Sequence, residues 1–139
     1  IWKDAAAKSG ATAMGARPLM VAFNVNLSGG SKNELLVAAK QIARAIRERD
    51  GGLPGVKSIG WYIPDLDVVQ VSCNLTKPFE TGVCEVFQTV QKQAMTLGYL
   101  APDSELIGCI PERQFEICTP STLGLGRFKP MTPDRILPY

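Results

Sequence analysis

The hydrophobic period of this chain changes in a fixed order, and that order limits the fold more than any other feature. Across residues 18–27 Leu19, Val21, Phe23, Val25 and Leu27 alternate with Met20, Ala22, Asn24 and Asn26. A period of two is that of a half-buried strand. Ser28-Gly29-Gly30-Ser31 reads as a turn, and Ser31 with Glu34 has capping-box spacing. Leu35, Ala39, Ile42 and Ile46 then recur at helical spacing, with Lys40, Arg44, Arg47 and Glu48 on the outer face. The pattern predicts a helix to about Asp50, ended by Gly51-Gly52-Leu53-Pro54-Gly55. Residues 56–64 form a second predicted strand, with Ile59, Trp61 and Ile63 on one face and Tyr62 on the other. Pro64-Asp65-Leu66-Asp67 is a hairpin connection to a third strand over 68–76. There Val69, Val71, Cys73 and Leu75 oppose Gln70, Ser72 and Asn74. Thr81 is placed to cap a second helix with the stripe Val83, Val86, Phe87, Val90, Ala94 and Leu97, which stops at Gly98. Residues 105–110 are a short fourth strand.

The order β-α-β-β-α-β is the split-βαβ, ferredoxin-like arrangement of an α+β domain. Right-handed crossovers put the first and third strands in the centre of a four-stranded antiparallel sheet and both helices on one of its faces. This unit covers residues 18–111. Residues 1–17 form a lead-in or linker without sustained period. Five of the ten prolines lie between Pro111 and Pro138, and residues 112–139 predict an extended arm that packs on the body or on a partner. A chain of 139 residues can bury roughly 70% of its unfolded surface, so it needs no metal or disulfide to fold.

What is missing narrows the chemistry. The chain has no histidine, so imidazole is not available from it as base, acid or metal ligand. Cys73, Cys84, Cys109 and Cys118 are spaced by 11, 25 and 9, with no Cys-x-x-Cys pair. They read as reduced thiols packed as small apolar groups, in a cytoplasmic or organelle-matrix setting. Fifteen basic and 13 acidic residues give a formal charge of +2, too balanced for binding through phosphate contacts. The central strands put no aromatic on the helix-free face, so RNA stacking is not expected either. The longest apolar run, Leu19 to Phe23, is far short of the ~20 residues of a membrane helix. No secretory signal is visible, and a start at Ile1 suggests a processed chain or a fragment. The sequons at Asn26 and Asn74 fall inside strands and read as accidental.

The helix-free sheet face is where binding residues gather. Asn24, Asn26, Gln70, Ser72 and Asn74 share it, five uncharged groups on adjacent strands that can hydrogen-bond a polar ligand. Glu105, if on the same face, adds a carboxylate able to hold an ammonium or amidinium group or to accept a pterin-like N–H. Arg17 lies before the first strand and can reach a carboxylate or phosphate. Each of these residues also has a plain structural reading as a solvated polar side chain. Ser28-Gly29-Gly30-Ser31 precedes a helix N-terminus and reads first as a turn. Trp2 and Trp61 are expected to pack.

The pieces also resemble a known family. Residues 10–17 (Gly-Ala-Thr-Ala-Met-Gly-Ala-Arg) followed by 21–27 (Val-Ala-Phe-Asn-Val-Asn-Leu) resemble the start of the C-terminal subdomain of glutamate formiminotransferase. The likeness continues through Gly52-Leu53-Pro54-Gly55-Val56-Lys57, Ile59-Gly60-Trp61-Tyr62 and residues 70–76 (Gln-Val-Ser-Cys-Asn-Leu-Thr). Ser104-Glu105-Leu106-Ile107-Gly108 with Pro111, and Phe128-Lys129-Pro130 with Arg135-Ile136, match its fourth strand and closing segment. The resemblance implies transfer of a formimino or formyl group between an N-substituted glutamate and tetrahydrofolate, in histidine breakdown. It implies two ferredoxin-like subdomains with folate between them, and a catalytic histidine in the N-terminal one. On that reading Asn24, Asn26, Gln70, Ser72 and Asn74 orient ligand, Arg17 or Glu105 supplies charge, and this chain contributes no catalytic residue. The partner is an N-terminal subdomain or another protein chain, in an oligomer or complex, with tetrahydrofolate as co-substrate. The chain departs from the family where the second helix opens Thr81-Gly82-Val83-Cys84 in place of Thr-x-x-His, where the folate-contact stretch before the first strand is not recognisable in residues 1–9, and in a shorter segment after Pro111. Those departures support the alternative of a non-catalytic relic serving as an accessory or structural subunit. An amino-acid-binding regulatory domain of the same topology ranks below both.

Overall fold

The computed structural model describes residues 8–10 and 12–138. Trp2 therefore lies outside the described residues. Strand β1 (Val21–Leu27) leads into helix α1 (Lys32–Ile46), strands β2 (Val56–Ile63) and β3 (Val68–Leu75), helix α2 (Val83–Thr96) and strand β4 (Ser104–Ile107). The strands hydrogen-bond in the order β2-β3-β1-β4, every pair antiparallel, as the β-α-β-β-α-β reading requires. Val21, Phe23, Val25, Val69, Val71, Cys73 and Leu75 turn to the helices and are buried. Phe23 meets Phe87 of α2 edge-on, with ring centroids 6.4 Å apart. Burying one such side chain contributes about 2 kcal/mol.

The helix boundaries differ slightly from expectation, for local reasons. At the start of α1 the Glu34 carboxylate accepts from both the Ser31 backbone N–H (2.9 Å) and its hydroxyl (2.6 Å). The helix stops at Ile46, and Glu48–Asp50 forms a single 3-10 turn that Gly51 closes in the left-handed region (φ 88°). Thr81 does not cap α2. The N-cap is Gly82, which has no side chain, and Gln114 takes over by accepting from the Val83 N–H at 3.0 Å. Gln114 also donates to the Pro78 carbonyl at 2.7 Å. One buried amide thus joins the helix start to the segment after β4.

Strand β2 sits on the sheet in the opposite sense to its apolar pattern. Register pairs Ser58 with Cys73, Gly60 with Val71 and Tyr62 with Val69, so Ser58, Gly60 and Tyr62 face α1. Ile59, Trp61 and Ile63 face the helix-free side. Tyr62 is therefore not on that side, and Trp61, expected to pack, is 42% exposed there. The reason is room. A Cβ at Gly60 would lie 2.3 Å from the Ala39 carbonyl carbon and the Lys40 nitrogen, so α1 rests directly on the β2 backbone. Only glycine fits at that crossing, so Ile59, Trp61 and Ile63 are turned outward, while the half-buried Tyr62 packs against the core beyond it.

The arm packs on the body. Leu123 and Leu125 are buried in the core, and the Ser104 hydroxyl donates to the Leu123 carbonyl at 2.6 Å. Ile136–Leu137 (β6) pairs in parallel with Ile110–Pro111 (β5). Cys84 of α2 and Cys118 of the arm form a disulfide across 34 residues, with Cα atoms 5.6 Å apart. This corrects the expectation of four reduced thiols, because the arm folds back onto the start of α2 and brings two distant cysteines together. The argument from cysteines to a reducing compartment loses its support. Cys73 and Cys109 are free. Among the described residues no helix is long and apolar enough to cross a membrane.

Candidate functional site

The helix-free face is a grid set by strand register. One row runs Trp61, Gln70, Asn26, and the next runs Ile59, Ser72, Asn24, Glu105. A third runs Lys57, Asn74, Ala22, Ile107. Six of the seven site residues read from the sequence are therefore on one face, including Glu105. The seventh, Arg17, lies in the exposed lead-in with its guanidinium against the Met20 Sδ, away from the grid.

The middle of the grid is closed. Gln70 is fully buried, and its amide nitrogen donates to Asn26 Oδ1 (2.7 Å) and to Glu105 Oε2 (3.2 Å). Its carbonyl oxygen accepts from the Trp61 indole N–H at 3.2 Å. Asn26 donates onward to the Asp103 carboxylate. Glu105 is 4% exposed and ion-paired to Lys129 of the arm, Nζ to Oε1, at 2.5 Å. Burial raises the pKa of Glu105. Hydrogen bonds from Lys129 and Gln70, the charge of Lys129 and a hydrogen bond from Asn24 outweigh that, and the carboxyl lies below its ordinary range. Among the described residues every buried side-chain nitrogen and oxygen has a partner. A closed polar network of this kind holds its members in one geometry.

The rim beside β2 is open. Ser72 is half-buried and Asn74 exposed. Together with Ile59 and Lys57 they line a groove of about 460 Å³ that Arg47 and Arg49 also line. That is the size range of small-ligand pockets. The wall mixes hydrogen-bonding, apolar and cationic groups. Arg47 and Arg49 are both paired with Asp50. The Asp50 carboxyl is held below its ordinary value first by the hydrogen bond from Arg47.

Trp61, Asp103 and Lys129 complete the grid and were not picked out as site residues from the sequence. Asp103 stands two residues before Glu105, and Lys129 stands in the Phe128-Lys129-Pro130 run, so both lay beside motifs that were noticed. Nothing local marks Lys129 as the partner of a strand residue 24 positions away; only the returning arm brings the two together.

Comparison with known proteins adds a family. The profile of the formiminotransferase domain matches residues 22–119. A glutamate formimidoyltransferase of Thermoplasma acidophilum is 39% identical over 106 residues, covering 76% of this chain and 34% of that protein. One from Streptococcus pyogenes serotype M1 is 35% identical over 105 residues, 34% of its length. A formimidoyltransferase-cyclodeaminase of Dictyostelium discoideum is 36% identical over 108 residues, 73% of this chain and 19% of that protein. The chain thus spans about a third or less of the curated relatives it matches.

Proposed function

The chain belongs to the formiminotransferase domain family, and we propose that it forms one wall of a cleft in which a formimidoyl or formyl group passes between N-formimidoylglutamate and tetrahydrofolate, as part of histidine breakdown. The observation that carries this reading is the helix-free face, on which a locked amide network adjoins an open groove. Ser72 and Asn74 supply hydrogen-bonding groups to a flat, polar heterocycle, and Ile59 supplies apolar contact. Arg47, Arg49 and Lys57 suit the carboxylate tail of a folate. Asn24, Asn26 and Gln70 act behind them by fixing the strands and orienting Glu105. The donor set of the groove therefore fits a reduced folate.

The chain has no histidine to serve as general base. The base is assigned to a separate N-terminal subdomain, which the greater length of the relatives leaves room for. Such a subdomain places its catalytic group over this face, and this chain positions the two substrates beneath it. Approximation of two bound reactants lowers the barrier even where the holding wall contributes no proton transfer.

The test is a formimidoyl-transfer assay on this chain alone and on this chain mixed with the N-terminal subdomain of a relative. Transfer by the mixture only is expected. Transfer by the isolated chain refutes the division of labour. A second reading, an accessory or structural subunit, is favoured by one observation, that the buried amides are saturated by one another. Titration with tetrahydrofolate separates the two. Binding that Asn74→Ala weakens supports the cleft, and no binding at millimolar folate supports the subunit.

A further inference from the structure

Two anchors hold the first part of the arm. Gln114 is buried and makes two hydrogen bonds at the start of α2, with the half-buried Phe115 packed on the core beside it. Leu123 is fully buried. Residues 116–122 run between these anchors and, apart from Cys118, are exposed or half-buried. Their other bonds stay within the arm. Glu116 pairs with Arg113, and Thr119 bonds with Thr122 and Leu123. Among the described residues the segment bonds to the body only through Cys118. That residue is joined to Cys84, and its Sγ accepts from the Gln88 amide at 3.8 Å.

Cys84 is the second residue of α2. Backbone N–H groups without an intrahelical partner gather at that end of a helix and favour a thiolate over a thiol. A stabilised thiolate stabilises the reduced form, which makes a disulfide easier to open. A groove of about 250 Å³, lined by Phe79, Arg113, Gln114 and Ile117 among others, reaches Cys84 and gives a small thiol access to it. Position, access and the lack of any other tie to the body all bear on the same bond.

We propose that the Cys84–Cys118 bond is a reversible redox latch. Closed, it pins residues 116–122 against α2. Opened by a dithiol, it frees them as a loop between the two anchors and bares the Cys84 thiol at the helix start. In the opening step a thiolate of the dithiol bonds to one protein sulfur, and the other leaves as a thiolate and takes up a proton. The second thiol of the reductant then displaces the bound sulfur. Two electrons pass to the cysteines, and the reductant departs as its own disulfide. The sheet and both helices stay folded, because the core around Phe23, Ile42, Val71 and Phe87 does not depend on the segment. Lys129 stays paired with Glu105, because Leu123 and Leu125 hold the arm on the body ahead of it. The latch does not rest on the function proposed above.

The experiment follows amide hydrogen exchange and iodoacetamide labelling of the whole chain under native conditions, before and after dithiothreitol. Before reduction the exposed Cys109 is expected to label, and Cys84 and Cys118 are not. After reduction Cys84 and Cys118 label too, while the buried Cys73 stays protected. The amides of Thr122 and Leu123, whose acceptors lie on Thr119, should then exchange about tenfold faster or more, with β1, β3 and β4 unchanged. Oxidised glutathione should restore both the bond and the slow exchange. Cys118→Ser should exchange fast with or without dithiothreitol, and if that variant fails to fold the reduced wild type carries the test. Labelling of Cys84 and Cys118 before any reductant is added overturns the latch. So does a bond that resists dithiothreitol until denaturant is present, or one that does not re-form. Reduction that leaves exchange unchanged, or that speeds it across the whole sheet, overturns it as well.

Discussion

The middle and the β2 rim of the helix-free face carry similar side chains in different states. Asn26 and Gln70 in the middle are buried and fully hydrogen-bonded, while Ser72 and Asn74 at the rim are half-buried and exposed. Position in the sheet accounts for the difference. Asn26 lies on β1 beside β4, and Gln70 on β3 reaches Asn26 and Glu105 and takes the Trp61 indole N–H, while Lys129 of the arm pairs with Glu105. The rim residues lie further along β3, paired with Ile59 and Lys57 of the edge strand, where Ser72 stays half-buried and Asn74 exposed. An amide in the middle is therefore part of the frame, and an amide at the rim is available to a visitor. Residue type alone does not distinguish the two.

Substitutions can break that comparison, beginning with the one of largest effect. Gln70→Leu removes three hydrogen bonds and strands the Trp61 N–H, the Asn26 carbonyl and a Glu105 oxygen. It is expected to cost about 3 kcal/mol in chemical denaturation. A loss under about 1 kcal/mol would mean the network reorganises or that water fills it. Glu105→Gln keeps the shape but faces Lys129 and Gln70 with another donor, for about 2 kcal/mol at neutral pH. Its pH dependence sharpens the point. The folded pKa of Glu105 lies below the ordinary 4.5. The stability from the ionised pair is then fully present above that ordinary value and disappears as pH falls through the lower folded value. The gap between wild type and Glu105→Gln should therefore close on acidification, and a gap constant with pH would rule out the ion pair as its source.

Smaller effects test the rest. Trp61→Phe keeps a ring and loses the indole N–H to Gln70, for about 1 kcal/mol by thermal melting. Ser72→Ala and Asn74→Ala should change stability by no more than about 0.5 kcal/mol, as substitutions outside the buried network do. Under the proposed function the same two changes alter folate affinity. A rim substitution as costly as Gln70→Leu would erase the distinction between frame and groove.

Much of the architecture could be read without coordinates. Val21 through Leu27 and Val69 through Leu75 alternate so regularly that their helix-facing and helix-free sides are legible, although Asn24, Asn26 and Gln70 on the second side are buried, and the central placement of these two strands follows from connection handedness. Glu105 was placed conditionally on the free face, and register with Asn24 puts it there. Strand β2 was misjudged because hydrophobicity is a sound guide to the buried face only where the partner element leaves room. Over Gly60 it does not. The cap of α2 was missed because its acceptor, Gln114, is distant in sequence. The same is true of the Cys84–Cys118 bond, and of Lys129.

The amino-acid order on its own therefore determined the succession of elements, the sheet order and the polar character of one face. Those properties depend on periods of two and 3.6 within short windows and on the handedness of L-residues. The three-dimensional packing alone decided which polar residues are locked and which are free, where β2 turns its indole, and which distant groups the arm brings back to α2 and Glu105. Those outcomes depend on helix-to-strand clearance and on contacts between residues far apart in the chain, which no local pattern encodes.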